Sequence, residues 1–218
     1  MLSPEEQAEF ARATAGVRQA ALNALAADRS GTFAIRFIAN LQRGVDQVLQ
    51  AALAAGLKID CQRGCSHCCS ARVDALDPEV LRIAAELKKR PPAALASLTE
   101  RLREHAARVR GTTAQTHRTP CPMLEQNLCT VYEVRPATCR KAHSLDLSQC
   151  AWSGAAIPQH LDLLLKAEAL CKGSADAYSH IGLAAGGHEL GQALLLALTD
   201  PTAEARWMNG EAVFDTIG

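Results

Sequence analysis

The sequence predicts an all-α protein, a helical bundle with an irregular, cysteine-rich metal-binding segment between its helices. Apolar residues recur at helical spacing along most of the 218 residues, and the composition is rich in alanine, leucine, glutamate and arginine, with only 4% aromatic residues. No segment has a convincing strand pattern. From Thr112 to Trp152 the helical periodicity stops, and this region holds three prolines and four cysteines.

Two helices are expected in the first 56 residues. Ser3 is placed as the N-cap of the first, and Glu6 stands three residues later, where it can close a capping box. A break at residues 28–31 precedes a second amphipathic helix, which Gly56 is placed to end. We expect the two helices to form an antiparallel hairpin.

Further helices are expected on both sides of the cysteine-rich region. A third helix begins at Asp77 and is stopped by the pair Pro91-Pro92, and a fourth ends at Gly111. Four more follow, separated by glycines and by Asp200-Pro201, at about residues 158–172, 174–184, 189–198 and 201–208. We expect one domain, 1–218, that consists of an N-terminal helical hairpin (1–56), a cysteine-cluster core (57–152) and C-terminal helices (153–218).

Composition narrows the class of partner. The chain has 23 basic and 23 acidic residues, so no charge excess favours nucleic acid or an anionic membrane. No apolar run reaches the roughly 18 residues that a membrane span needs, and the first residues lack the pattern of a signal peptide. We therefore expect a cytoplasmic protein that binds neither nucleic acid nor membrane; the sequence identifies no protein partner.

Nine cysteines in a reducing compartment point to metal binding or redox chemistry rather than to disulfides. Four of them occupy nine residues and would share one face if that segment were helical. The others follow in the irregular region, so a centre with ligands from both segments would act as a staple. The candidate ligands are Cys61, Cys65, Cys68, Cys69, Cys121, Cys129, Cys139 and Cys150.

The sequence gives weaker evidence that other side chains near these cysteines bind or stabilise a metal. Cys171 shares a helical face with leucines and is expected to pack in the core. His67 lies between candidate thiols and is expected outside the ligand set. Arg135, Arg140 and His143 could stabilise an anionic thiolate centre, or the two arginines could cap short helices or pair with a nearby glutamate.

Three ordered motifs resemble one known family. They are Cys61-x3-Cys65-x2-Cys68-Cys69, Pro120-Cys121-Pro122-Met123-Leu124 and Cys129-Thr-Val131-Tyr132-Glu133-Val-Arg135-Pro136-x2-Cys139-Arg140. In this order they resemble the CxxCxxCC family, also called YkgJ-like, of zinc- or iron-chelating proteins. Met123 departs from the family, which often has an aromatic residue there. The resemblance implies a cysteine-bound metal, and flagellin lysine methylases, which carry a similar motif, are thought to use an iron-sulfur cluster.

The metal and the function remain open between alternatives. The adjacent pair Cys68-Cys69 and the methylase analogy favour an iron-sulfur cluster over zinc by a small margin. The spacing of Cys61, Cys65 and Cys68 is also that of radical S-adenosylmethionine enzymes, but no alternation of strands and helices accompanies it. Whether the chain is an enzyme is uncertain. We rank a metal-binding protein first, then a cluster-dependent redox or methyl-transfer enzyme, then a structural zinc module that supports a protein-interaction surface.

Overall fold

The computed structural model describes residues 2–28, 30–62, 64–150 and 157–216, and it confirms the all-α prediction. In chain order the helices are α1 (Pro4–Ala27), α2 (Gly31–Phe37), α3 (Ala39–Ala54), α4 (Asp77–Leu87), α5 (Pro92–Val109), α6 (Ala137–Lys141), α7 (Leu147–Cys150), α8 (Leu161–His180), α9 (Leu190–Thr199) and α10 (Ala203–Met208). Short 3-10 helices cover His67–Ser70, Tyr132–Val134 and Val213–Thr216. The strands are β1 (Asp74–Leu76), β2 (Leu124–Glu125), β3 (Leu128–Cys129) and β4 (Gly187–Glu189).

Helix α1 begins as its sequence predicts. The amide of Ser3 donates to Glu6 Oε2 at 2.7 Å, and the amide of Glu6 donates to Ser3 Oγ at 3.2 Å, which completes the capping box. Helix α1 packs along α8, and α3 packs on another part of α8. Helix α8 is therefore a common neighbour of α1 and α3. The division of the chain at residues 56 and 152 stays a prediction.

The predicted break at Gly173 is wrong, because α8 runs through it without interruption. A Cβ atom at Gly173 would lie 2.6 Å from the carbonyl oxygen of Thr14 and 2.7 Å from Cβ of Val17, both on α1. The two helices approach each other so closely here that only glycine fits. Glycine at this position therefore indicates helix packing and not the end of a helix.

We expect Gly173→Ala to destabilise the protein by about 1–3 kcal/mol, since the added methyl group must push α1 away from α8. Gly16→Ala is the matched control. Gly16 lies in α1, and a Cβ atom there would meet nothing within 4 Å, so alanine should stabilise the helix by roughly 0.5–1 kcal/mol. Urea unfolding of both variants measures the difference, and an equal response would contradict close packing at Gly173.

The expectation that the chain has no strand is also wrong, although the strands are short. β1 and β4 pair antiparallel, with Asp74 opposite Glu189 and Leu76 opposite Gly187. Three-residue strands so far apart along the chain leave no readable alternation in the sequence. Because the strands are antiparallel, α4 and α9 start at opposite ends of the pair, and α9 packs against both α4 and α5.

The core is mostly aliphatic, but it encloses three fully buried aromatic residues. Tyr178, Trp207 and Phe214 are each 0% exposed. The hydroxyl of Tyr178 donates to the carbonyl oxygen of Ala34 at 2.6 Å, and the indole N–H of Trp207 donates to that of Ala184 at 2.8 Å. Their polar atoms therefore have partners inside the core. Across the described residues, no helix combines the length and apolar character needed to cross a membrane.

Glu79 connects the helical core to the cysteine-rich region. Its Oε1 accepts hydrogen bonds from the amide of Ala137 at 2.7 Å and from Nε2 of Gln42 at 3.1 Å, and its Oε2 accepts from the amide of Leu76 at 3.2 Å. Burial raises the pKa of this carboxyl group, against the lowering effect of the three donors. One side chain thus joins α3, α4 and the start of α6.

We expect Glu79→Ala to destabilise the protein by about 2–4 kcal/mol, because three buried donors lose their acceptor. Glu86→Ala on the same helix is the control, since Glu86 is half exposed and forms an ion pair with exposed Lys89. That substitution should change the free energy of unfolding by less than about 0.5 kcal/mol. Denaturant unfolding distinguishes the two, and equal effects would contradict the connecting role of Glu79.

Candidate metal centre

The first cysteine segment is not an α-helix, which corrects the arrangement considered from its spacing. A turn at Gly64, whose φ is +89°, is closed by a 3.0 Å hydrogen bond from the amide of Cys65 to the carbonyl oxygen of Gln62. The 3-10 helix His67–Ser70 follows and carries the adjacent pair Cys68 and Cys69. Turns and a 3-10 helix, rather than one face of an α-helix, therefore present the thiols of this segment.

The second segment begins with a small hairpin. β2 and β3 pair Leu124 with Cys129, and the two-residue turn between them consists of Gln126 and Asn127, with φ of 50° and 63°. Positive φ at both positions is typical of a type I′ turn, in which asparagine is common. The hairpin holds Cys129 close to Cys121, and Met123, between them in sequence, is fully buried in the core.

Direct hydrogen bonds join the two segments. The amide of Cys121 donates to the carbonyl oxygen of Cys69 at 2.8 Å. The amide of Asp60 donates to the carbonyl oxygen of Ser144 at 2.9 Å, and the amide of Ser144 donates to Sγ of Cys61 at 3.2 Å. The structure therefore brings together the two cysteine segments that the sequence expected a metal centre to bridge.

One group of thiols surrounds Cys61. Burial raises the pKa of this thiol, the amide of Ser144 lowers it, and three neighbouring thiols raise it further through charge repulsion. Those neighbours are Cys65, Cys68 and Cys150. Cys150 lies at the end of α7, so the last candidate in the sequence is near the first.

A second group adjoins the first. Cys68 donates a hydrogen bond to Cys69, which raises the pKa of Cys68 and lowers that of Cys69. Burial raises the pKa of Cys121 to about 11 and that of Cys139 further. The thiols that interact electrostatically with Cys69 are those of Cys121, Cys129 and Cys139. Cys68 also interacts electrostatically with Cys121 and Cys139, so the eight candidates belong to two overlapping groups, one around Cys61 and one around Cys69, that share Cys68.

Arg135 brings positive charge to the centre. Its guanidinium lies 3.8 Å from the centroid of the Tyr132 ring, and its buried Nε has no hydrogen-bond partner among the described residues. This charge lowers the pKa values of Cys68 and Cys139. Larger effects raise them, namely the hydrogen bond to Cys69 and burial for Cys68, and burial for Cys139. Arg135 therefore favours the thiolate forms of both groups.

Arg140 has a structural role. Its Nε donates to the carbonyl oxygen of Arg135 at 2.9 Å, a second nitrogen donates to that of Glu133 at 2.6 Å, and a third pairs with Asp46. It thus joins the segment around Glu133 to α3.

His143 also contacts backbone rather than thiols. Its Nδ1 donates to the carbonyl oxygen of Lys141 at 2.8 Å, and its Nε2 accepts from the amide of His160 at 2.9 Å. Both ring nitrogens are occupied, so the predicted contribution of His143 to the centre is indirect.

Cys171 and His67 lie where the sequence placed them. Cys171 is on α8 and packs against the core, and burial raises the pKa of its thiol to about 12. The charged side chains that act on this thiol among the described residues are those of Lys141, Glu168 and Glu79, and none of them is a cysteine. His67 is exposed.

The cysteine thiols are not gathered as tightly as the ligands of a single ion. Thiolates at 2.3 Å around one tetrahedral zinc lie about 3.8 Å from each other. Among the described residues, the set of three or more candidate ligand atoms that all lie within 4.8 Å of one another is His105, His117 and Glu189, rather than a set of cysteines. The thiols of the described residues are therefore more widely spaced than the ligands of one tetrahedral zinc ion.

Comparison with known proteins gives one finding. Residues 60–158 match the model of the CxxCxxCC family, whose description is "Putative zinc- or iron-chelating domain". The match includes all eight candidate cysteines and ends before Cys171. No curated protein and no solved structure matches the chain.

Proposed function

We propose that this chain, whose residues 60–158 form a CxxCxxCC domain, is a metal-binding protein that holds an iron-sulfur cluster or zinc through its eight clustered cysteine thiolates. The observation that carries the proposal is the meeting of thiols from separate backbone segments, which are joined by the hydrogen bond from Cys121 to Cys69, in two overlapping groups. The first group is Cys61, Cys65, Cys68 and Cys150, and the second is Cys68, Cys69, Cys121, Cys129 and Cys139.

The chemistry of these residues fits such a centre. Neighbouring thiols and burial raise the pKa values of Cys61, Cys121 and Cys139, so bringing them together without a cation is unfavourable for the thiolates. A bound metal supplies the positive charge that offsets this repulsion. Arg135 adds one further positive charge beside the thiols.

The spread of the thiols favours an iron-sulfur cluster over zinc. A four-iron cluster binds each thiolate to a different iron, so its ligands lie farther apart than those of one tetrahedral ion. The test is an anaerobic preparation without a metal-affinity tag, analysed for iron, zinc and acid-labile sulfide and by its absorption spectrum. Iron with sulfide and a broad thiolate-to-iron band would support the cluster, whereas stoichiometric zinc in a colourless sample would overturn it.

Within this function we favour a protein that stores, delivers or senses metal. A cavity of about 430 Å³ lies beside α1, α2 and α8, and its lining contains no cysteine. A protein that stores, delivers or senses metal should release it to a chelator without unfolding of the whole chain. Turnover in redox or methyl-transfer assays would favour the enzyme instead, and metal that cannot be removed without global unfolding would favour a structural zinc module.

Metal affinity should increase with pH across the neutral range. A thiol whose pKa burial has raised, such as that of Cys121 at about 11, must lose its proton to bind metal, so protons compete with metal more strongly as the pH falls. Calorimetric titration of zinc into the metal-free protein in two buffers of different ionisation enthalpy measures the protons released. A metal affinity independent of pH would contradict thiolate ligation.

A further inference from the structure

A second set of candidate metal ligands lies outside the cysteine motif. His105 on α5, His117 in the following loop and Glu189 at the end of β4 are all buried, with exposures of 3%, 2% and 4%. One ligand atom from each lies within 4.8 Å of the other two. Nε2 of His105 is 3.0 Å from Oε1 of Glu189, and the two imidazole centroids are 5.8 Å apart.

The sequence gives only an indirect signal for these residues. His105 lies on the buried face of α5, in register with Leu98, Leu102 and Val109. This spacing predicts an ordinary surface or core position, and the structure shows a core position with Glu189 as its partner. Its partner Glu189 is 84 residues away and meets it because α9, which follows Glu189, packs against α5. His105 and His117 lie within the CxxCxxCC match, and Glu189 lies outside it.

The imidazoles have nitrogen atoms available for a ligand. Nδ1 of His105 is buried and has no hydrogen-bond partner among the described residues. The contacts of His117 are long, 3.5 Å from Nδ1 to Oγ1 of Thr112 and 3.3 Å from Nε2 to the carbonyl oxygen of Thr119. A buried nitrogen without a partner is unfavourable, and weak contacts are readily exchanged for a metal bond.

Glu189 is fixed in position by the start of α9. The amide of Gln192 donates to its Oε2 at 2.8 Å, and Oε1 faces His105. Gly191 leaves room for this pair, since a Cβ atom there would lie 2.7 Å from Nε2 of His105 and 3.3 Å from Oε2 of Glu189. The three side chains and Cys121 line a cavity of about 10 Å³, which has space for an ion but not for an organic substrate.

We propose that His105, His117 and Glu189 form a second metal site, for a divalent transition-metal ion such as Zn²⁺ or Fe²⁺, next to the cysteine centre. Two imidazoles and one carboxylate are a ligand set that zinc and ferrous iron both use in proteins. Three protein ligands leave a coordination position free, so this site differs in chemistry from one formed by thiolates alone. Cys121 lies between the two sites, because it lines this cavity and belongs to the second thiol group.

The test is a titration of the as-purified full chain with Co²⁺ under anaerobic conditions, followed by visible absorption and elemental analysis. We expect the second site to hold one equivalent of metal, counting zinc and cobalt together, in addition to the metal bound by the cysteines. The bound cobalt should give d–d bands but no new thiolate-to-cobalt charge-transfer band. His117→Gln and Glu189→Gln should weaken this uptake by about 100-fold or more, since even outer partners of metal ligands contribute 10–100-fold. His180→Gln, which alters an exposed histidine bonded to Arg18, should leave it unchanged.

X-ray absorption of the wild-type protein keeps the test independent of how the variants fold. A shell of nitrogen and oxygen atoms around the added metal, with imidazole scattering, is expected. A sulfur shell, uptake that the variants do not change, or no metal beyond the cysteine-bound metal would overturn the second site and would leave only a buried His105–Glu189 pair. If the cysteines do not bind metal, the sample will contain no thiolate-bound metal before the titration begins, so this outcome is distinguished from loss of the second site.

Discussion

Replacement of Cys139 by serine is expected to remove most of the metal from the cysteine centre. Cys139 lies on α6, and its thiol interacts electrostatically with those of Cys68, Cys121 and Cys129. Since a change to an outer partner of a metal ligand already lowers affinity 10–100-fold, loss of a thiolate ligand should exceed about 100-fold. Elemental analysis and the thiolate-to-metal absorption band of the purified variant measure the effect.

Cys171→Ser is the matched control for this substitution. Cys171 is partly buried like Cys139 and is changed by the same single atom, but it is on α8 and packs against the core. Its replacement should leave the metal content and the absorption band at wild-type values. Retention of metal in Cys139→Ser together with loss in Cys171→Ser would contradict the assignment of the centre.

Removal of the metal from the wild-type protein should open the cysteine-rich region and leave the long helices folded. Two short strands, two short α-helices and one 3-10 helix lie between residues 112 and 150, and this region adds only Met123, Val131, Val134 and Ala137 to an apolar core that is formed mostly by the longer helices. Thiolate binding of structural zinc contributes about 10–16 kcal/mol in small domains. Loss of even about 5 kcal/mol should lower Tm by about 10 °C or more in a chain of this size.

Hydrogen exchange with and without a chelator gives the direct measurement. Amides whose partners join the two cysteine segments, those of Cys121, Asp60 and Ser144, should lose protection when the metal is removed. Amides within α8 should keep it, and far-UV circular dichroism should change little. Equal protection of Cys121 in both states would show that the segments hold together without metal.

Much of the helical framework was predictable from local signals. Ser3 and Glu6 form the expected capping box, and Gly56 and Gly111 adopt positive φ just beyond the ends of α3 and α5. These signals act within one turn of chain, so the sequence contains all of the information they need. The cysteine count and order likewise predicted a metal centre, and the CxxCxxCC match supports that prediction.

The features that were missed depend on contacts between distant residues. Gly173 looks like a helix end in sequence, but its role is set by Thr14 and Val17 on another helix. The helical face proposed for the first cysteine segment was wrong because its backbone hydrogen bonds follow turns, as at Cys65. The pairing of His105 with Glu189 required the packing of α5 against α9, which no local pattern announces.

Native mass spectrometry of the full chain, purified anaerobically without an affinity tag, measures most directly whether the cysteine cluster binds metal. The mass of the folded chain, compared with that of the same chain denatured in acid, gives the number and kind of metal and sulfide atoms bound. We expect added mass equal to an iron-sulfur cluster or to zinc, present in Cys171→Ser and lost in Cys139→Ser. Equal folded and denatured masses, with the helical fold intact, would contradict a metal centre in this protein.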